Sequence, residues 1–125
     1  MTMLFPITAG ALGIIAGSAH SYLGERKILW RLFAEGNSQA LEKGRTRELL
    51  RAVWHIPSLA WIVLGLALVH AGLENRPDGV VAAMAGTVFV LSGVANWMAL
   101  KSIHISGGTL VAAGLLSFAS IVVGL

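Results

Sequence analysis

The sequence predicts an all-α integral membrane protein, an up-down four-helix bundle with a short amphipathic helix in its first loop. Of the 125 residues, 56% are hydrophobic and only 12% are charged. Soluble domains carry about 25% charged residues, so a soluble fold is not expected. Four stretches are apolar over the roughly 20 residues that a helix needs to cross a ~30 Å hydrocarbon core. The length accommodates one transmembrane domain over residues 1–125.

The predicted spans cover about residues 4–23, 49–73, 79–100 and 103–125. No Lys or Arg precedes the first span, which therefore lacks the basic start of a signal peptide and is interpreted as a true span. The second and third spans are joined by "ENRPD", in which Pro77 favours a turn. Such short connections place consecutive helices side by side and antiparallel.

The basic residues predict the orientation of the chain. Eight of the nine Lys and Arg residues lie in or beside the first and third loops, and the ninth is Arg76. The positive-inside rule then places these loops in the cytoplasm and both termini outside, in a bacterial inner membrane. Because this topology accounts for the net charge of +3, nucleic acid is not a predicted partner.

The first loop contains "ERKILWRLFAE" at residues 25–35, with amphipathic spacing. We predict a short helix on the inner membrane surface, with its basic residues toward anionic headgroups, so that membrane lipids are partners. A second helix is predicted from Ser38, and Gly44 is a candidate break.

Three of the four histidines fall at one predicted depth, at the cytoplasmic ends of spans one, two and four. They are His20, His55 and His104. His70 lies at the opposite end of span two, on the order of 20 Å from His55 at a rise of ~1.5 Å per residue. His20 continues a glycine face of span one, and such faces mark close helix packing.

These histidines predict a buried metal site. Ionisable groups inside spans are costly and by default mark a functional site, and imidazole is the commonest metal ligand. We expect His20, His55 and His104 as ligands with Glu25 as a fourth, for zinc, iron, copper or manganese. Expected supporting contacts come from Ser58, Asn96, Arg51 and Trp54.

The position of Glu25 depends on the helix around it. On an unbroken α-helix His20 and Glu25 lie about 140° apart. A bend at Gly24 would turn Glu25 toward His20. Without that bend, we expect Glu25 to pair with Arg51 or another basic residue.

Several functions remain open at this point. A metal would support metal-dependent chemistry on a lipid-soluble substrate, although no catalytic residue is assigned. One alternative is a small membrane cytochrome with a b-type haem on His20 and either His55 or His104. Another is a structural or assembly protein without a cofactor. Proton-coupled drug transport is disfavoured because no Asp or Glu lies inside a predicted span, while the glycine faces of spans one and four suit a homodimer.

Three segments, "HSYLGE", "RAVWHIPSLAW" and "HISGG", carry a resemblance over most of the chain. They resemble a group of small uncharacterised bacterial four-span proteins with H-x-x-x-G-E after span one and W-H-x-x-S in span two. The matching residues are His20, Gly24, Glu25, Trp54, His55 and Ser58. The resemblance implies the four-span fold and no particular activity.

Overall fold

A computed structural model describes residues 3–36, 39–76 and 78–124. Over these residues the protein is all-helical, and four helices are long and apolar enough to cross a membrane, as predicted. The elements are α1 (Leu4–Leu23), a π-helical turn (Gly24–Leu29), α2 (Trp30–Glu35), α3 (Gln39–Glu42), α4 (Gly44–Leu73), α5 (Gly79–Leu100) and α6 (Ile105–Gly124). Predictions made for Ser38, Pro77 and Leu125 lie outside the described residues.

The bounds of α1 and α5 match the predicted first and third spans, whereas α4 and α6 begin at other residues than predicted. The helix of span two begins at Gly44, directly after Lys43, whose backbone is extended (φ −77°, ψ 118°). It then runs through Pro57 without interruption. Helix α5 ends before Lys101, which adopts the left-handed conformation (φ 49°). The helix of span four begins at Ile105.

The helix of span one does not end at Leu23. It continues through the π-helical turn into α2, giving one helical segment of 32 residues, Leu4–Glu35. Inside the turn the N–H of Trp30 donates to the carbonyl oxygen of Glu25, the i→i+5 bond of a π-helix. The residues of the predicted amphipathic helix are therefore helical, but they extend α1 instead of forming a separate element.

Helices α1 and α4 pack with their backbones in contact. A Cβ atom added to Gly65 of α4 would lie 2.6 Å from the carbonyl oxygen of Gly10 in α1. A Cβ on Gly17 would lie 2.7 Å from the carbonyl oxygen of Ser58. Both separations are too short for a real Cβ, so the absence of side chains here allows the helices to approach.

The same kind of contact joins α5 to α6, where a Cβ on Gly93 would lie 2.6 Å from the carbonyl oxygen of Gly107. Helix α1 also packs on α6, and α4 on α5, which closes the four long helices into a bundle. Its core consists of small residues around a few large side chains, among them the fully buried Phe89. The glycine faces expected to suit a homodimer are thus occupied within the chain, and the homodimer stays a prediction.

The glycine contact makes a prediction about stability. Gly65→Ala should lower the free energy of unfolding by about 1–3 kcal/mol, the usual cost of overpacking a close contact. Gly44→Ala is the matched control, because Gly44 lies in the same helix with nothing within 4 Å of an added Cβ. Alanine there should be neutral or stabilising by up to ~1 kcal/mol. Thermal unfolding in detergent, followed by circular dichroism, measures both; equal effects would contradict the contact.

Candidate functional site

The contact between α1 and α4 places two histidines beside two serines near one end of the bundle. His20 Nδ1 lies 2.8 Å from Ser58 Oγ, and His55 Nδ1 lies 2.8 Å from Ser21 Oγ. Each helix contributes one histidine and one serine, so the two hydrogen bonds cross between the helices. We call these four residues the His–Ser cluster.

Glu25 extends the cluster toward the charged first loop. One carboxylate oxygen, Oε1, lies 2.8 Å from the Arg51 guanidinium. The other, Oε2, lies 3.4 Å from His55 Nε2. Ser21 and Glu25 are four residues apart and share a helix face, so the His55 ring lies between them. Glu25 therefore contacts His55 and Arg51 rather than His20. The pairing with Arg51 was one of the two expected outcomes, and at Gly24 the helix changes to a π-helical turn.

The ion pair has an orienting role more than a stabilising one. The side chains of Arg51 and Glu25 are 50% and 37% exposed, and such exposed pairs contribute about 0–1 kcal/mol. The pair also affects the geometry of the site, because Arg51 holds the Glu25 carboxylate beside the His55 ring. The pair thus restricts how the imidazole of His55 can turn.

The partners of His55 determine its tautomer. A carboxylate ion only accepts hydrogen bonds, whereas a neutral imidazole donates from one ring nitrogen and accepts at the other. The Glu25 carboxylate, 3.4 Å from Nε2, therefore favours the tautomer of neutral His55 that carries its proton on Nε2. This leaves the lone pair on Nδ1, which accepts the hydrogen bond that the Ser21 hydroxyl donates. The line Ser21–His55–Glu25 has the order of a hydroxyl, a base and a group that orients the base.

His20 is held by aromatic contacts. Its ring stacks on Trp54 with centroids 4.7 Å apart and planes within 8°, and it meets Trp61 edge-on at 5.1 Å. The Trp54 indole N–H donates to the carbonyl oxygen of His20 at 3.3 Å. Gly24 makes room for this indole, because an added Cβ would overlap it. Trp61 is itself buried and donates to Ser92 Oγ at 3.0 Å.

An open groove of about 440 Å³ runs beside the cluster along α4. Its lining comprises Ser21, Ala52, His55, Ile56, Leu59 and Ile62. Ile56 and Leu59 are each 62% exposed, so this side of α4 faces outward from the bundle. We call it the α4 groove; its accessible lining is almost entirely apolar, and Ser21 and His55 border it.

Two residues predicted for the site make no hydrogen bond to the His–Ser cluster within the residues that the structure describes. His104 is exposed just before α6, where its ring lies 3.4 Å from Ser106 Oγ and its carbonyl oxygen accepts from the Trp97 indole at 3.0 Å. Asn96 lies in α5, and within the described ranges its buried Oδ1 has no hydrogen-bond partner. Across the residues that the structure describes, no three His, Asp or Glu side chains form a group that could hold a metal ion. Metal binding itself stays a prediction.

The remaining predicted residues meet in one place. Ser58 and Trp54 contact His20, while Arg51 contacts Glu25. Sequence reasoning missed Ser21, which bonds His55 and borders the groove. The spacing of Ser21 and Glu25 was the available signal, because residues four apart lie on one face of a helix.

No protein-family model, curated protein or solved structure matches the chain. The resemblance to small four-span proteins stays a prediction. A functional conclusion therefore depends on the contacts of the His–Ser cluster.

The tautomer of His55 is directly measurable. In protein labelled with ¹⁵N histidine, NMR should show neutral His55 with its proton on Nε2. Glu25→Ala should produce a mixture of both tautomers, because it removes the acceptor beside Nε2. Glu48→Ala, which removes an exposed carboxylate from α4, should leave the spectrum of His55 unchanged. A proton found mainly on Nδ1 would contradict the arrangement.

Proposed function

We propose that this protein is a membrane-embedded enzyme in which His55 exchanges a proton with a lipid-soluble substrate bound in the α4 groove. The observation that carries the proposal is the line Ser21–His55–Glu25, whose first two members border an apolar groove. Histidine is the commonest general acid and base, and a base must lie within hydrogen-bond reach of the proton it moves. Here the Nδ1 of His55 and the hydroxyl of Ser21 already meet this distance.

The membrane arrangement in this proposal is an up-down bundle in a bacterial inner membrane, with both termini outside. The positive-inside distribution supports it, since only Arg76 lies in the loop between spans two and three. The His–Ser cluster then lies at the cytoplasmic leaflet. Trp30 in α2 is 65% exposed, and an exposed tryptophan there suits the membrane interface.

The first loop is held beside the cluster by cation–π contacts. The Arg47 and Arg51 guanidinium groups lie 5.7 Å and 5.3 Å from the centroid of the Phe33 ring. Arg51 thus contacts both Phe33 of α2 and the Glu25 carboxylate. These contacts place charged groups beside the His–Ser cluster, while the α4 groove itself is lined almost entirely by apolar atoms.

A lipid-soluble substrate follows from the surfaces around the groove. The polar members, Ser21 and His55, lie at one end, and the remaining lining is aliphatic. A molecule with a polar group and an apolar tail would satisfy both parts at once. It would enter laterally from the bilayer, because the groove is open on the outer side of α4.

A metal at His55 and Glu25 is a second candidate, favoured by one distance. Zinc binds imidazole nitrogen at about 2.0–2.1 Å and carboxylate oxygen at about 2.0–2.2 Å, so two tetrahedral ligands lie about 3.4 Å apart. The separation of His55 Nε2 from Glu25 Oε2 is 3.4 Å. Zinc, iron, copper or manganese would fit these donors, and the metal would supply a Lewis acid or an activated water. Haem is less favoured, because the contact of Gly17 with Ser58 leaves little space for a macrocycle between α1 and α4.

The groove is tested by photocrosslinking. A diazirine-bearing fatty-acyl ester, added to protein in vesicles, should label residues 52–62. Ile56→Trp should reduce this labelling about tenfold, equivalent to ~1.4 kcal/mol of binding, because the indole fills the groove. Leu66→Trp is the matched control, since Leu66 is an exposed residue of α4 outside the groove. Equal labelling of both variants and the parent would contradict a substrate in the groove.

Metal analysis of the purified protein separates the sequence hypothesis from the geometric one. The geometry predicts that His55→Ala and Glu25→Ala lose any bound metal, while His104→Ala retains it. His70→Ala is the control at the opposite end of α4. Loss of metal in His104→Ala would support the three-histidine site expected from the sequence. A metal-free parent protein would remove the metal candidate.

A further inference from the structure

We infer that Ser21 is a nucleophile that transfers the acyl group of a membrane-lipid ester to water. This inference rests on the proposed function, since it uses His55 as the base and the α4 groove as the substrate site. It adds a covalent step and a substrate class. The geometry separates the two serines of the cluster and points to one of them.

Ser21 and Ser58 differ in their exposed fraction and in the groups that surround the histidine each one contacts. Ser58 is 1% exposed, and its partner His20 is covered by two tryptophan rings. Ser21 is half-buried and borders the groove beside His55. His55 in turn has a carboxylate at its other ring nitrogen. Hydroxyl, base and orienting group therefore occur together only on the Ser21 side of the cluster.

The tautomer of His55 gives the direction of proton transfer. Nδ1 accepts the hydrogen bond from Ser21, so it is the nitrogen that takes the hydroxyl proton. As Ser21 Oγ forms a bond to the acyl carbon, this proton moves to His55, and the ester C–O bond then breaks. His55 returns the proton to the departing alcohol, leaving the acyl group on Ser21.

Water completes the reaction. His55 removes a proton from a water molecule as its oxygen attacks the acyl carbon, and the bond from this carbon to Ser21 Oγ breaks. Ser21 regains a proton from His55, and a carboxylic acid leaves. Glu25 is a positioning residue throughout, because it holds the Nε2 proton and keeps Nδ1 toward Ser21.

The dimensions of the groove favour a lipid acyl chain. Along α4 its lining runs from residue 52 to residue 62, a length of about 15 Å at a rise of ~1.5 Å per residue. From His55 to Ile62 the lining extends about 10 Å at ~1.5 Å per residue, so it seats the first part of an acyl chain in one leaflet, which supplies about half of a ~30 Å hydrocarbon core. The lipid ester bond lies where hydrocarbon meets headgroup, and Ser21 and His55 lie at the corresponding polar end.

An active-site probe tests the nucleophile. A fluorophosphonate carrying a long alkyl chain should form one adduct, which mass spectrometry places on Ser21. Ser21→Ala should abolish the adduct. Ser18→Ala is the matched control, because Ser18 is an exposed serine on the same helix outside the groove, and it should keep the adduct. An adduct on Ser58, or none on the folded parent protein, would overturn the inference.

Cysteine chemistry gives a second test that needs no substrate. The chain contains no cysteine, so Ser21→Cys introduces a single thiol for N-ethylmaleimide. Adding His55→Ala should slow alkylation by roughly tenfold, because a neighbouring histidine increases the reactive thiolate fraction. Adding His70→Ala should leave the rate unchanged. Because alanine at residue 55 also opens access, His55→Asn serves as the second variant; an unchanged rate in both variants would exclude His55 as the base.

The experiments distinguish failure of the Ser21 nucleophile from failure of the substrate site in the α4 groove. If crosslinking in the groove persists but Ser21 takes no adduct and its cysteine is unaffected by His55, only the nucleophile is excluded. If crosslinking is also absent, the proposed substrate site fails with it. Circular dichroism of each variant confirms that the helices remain folded.

Discussion

The direct backbone contact between α1 and α4 is the constraint on which the rest of the structure depends. At Gly10 with Gly65, and at Gly17 with Ser58, there is no room for a side chain between the helices. In a bilayer the hydrophobic effect does not drive helices together, so close packing and hydrogen bonds must do so. The contact also sets the spacing at which a side chain of one helix can bond a side chain of the other.

The crossed hydrogen bonds of the His–Ser cluster use this spacing. Hydrogen bonds between membrane helices contribute on average about 0.6 kcal/mol each, so two of them add little to stability. Their effect is on register. Because His20 pairs with Ser58 while the adjacent Ser21 pairs with His55, sliding α1 by one residue would separate both pairs. The bonds therefore fix one alignment of the helices, and that alignment brings Glu25 to His55.

The sequence predicted what depends on composition and on length along the chain. The four membrane-crossing helices follow from apolar length, and the pairing of Glu25 with Arg51 was expected for a helix that does not bend at Gly24. The sequence did not determine which way each side chain points around its helix axis. His104 contacts Trp97 and Ser106, because counting residues predicts position along a helix and packing sets the direction of a side chain. Ser21 was missed for a related reason, since the neighbour that its hydroxyl meets also depends on how α1 packs on α4.

The continuation of α1 into α2 also could not be read from the pattern. Residues 25–35 have their own amphipathic spacing, and that spacing suggested a separate helix. The π-helical turn explains how one helix carries an apolar membrane span followed by an amphipathic segment. Such a turn arises when an α-helix takes up one additional residue, and the residues beyond it are rotated relative to those before it.

The π-helical turn therefore separates the evolutionary constraints on the two parts of this helix. Before Gly24 the helix must keep its phase relative to α4, because His20 and Ser21 each bond a residue there. After the turn, α2 is held to α4 by the contacts of Phe33 with Arg47 and Arg51. Deleting one residue between Gly24 and Leu29 would restore an ordinary α-helix and leave α2 close to its present orientation, because the turn takes up one additional residue. Among natural variants of such a protein, the loss of one residue should therefore be tolerated within the turn after Glu25 and selected against before Gly24.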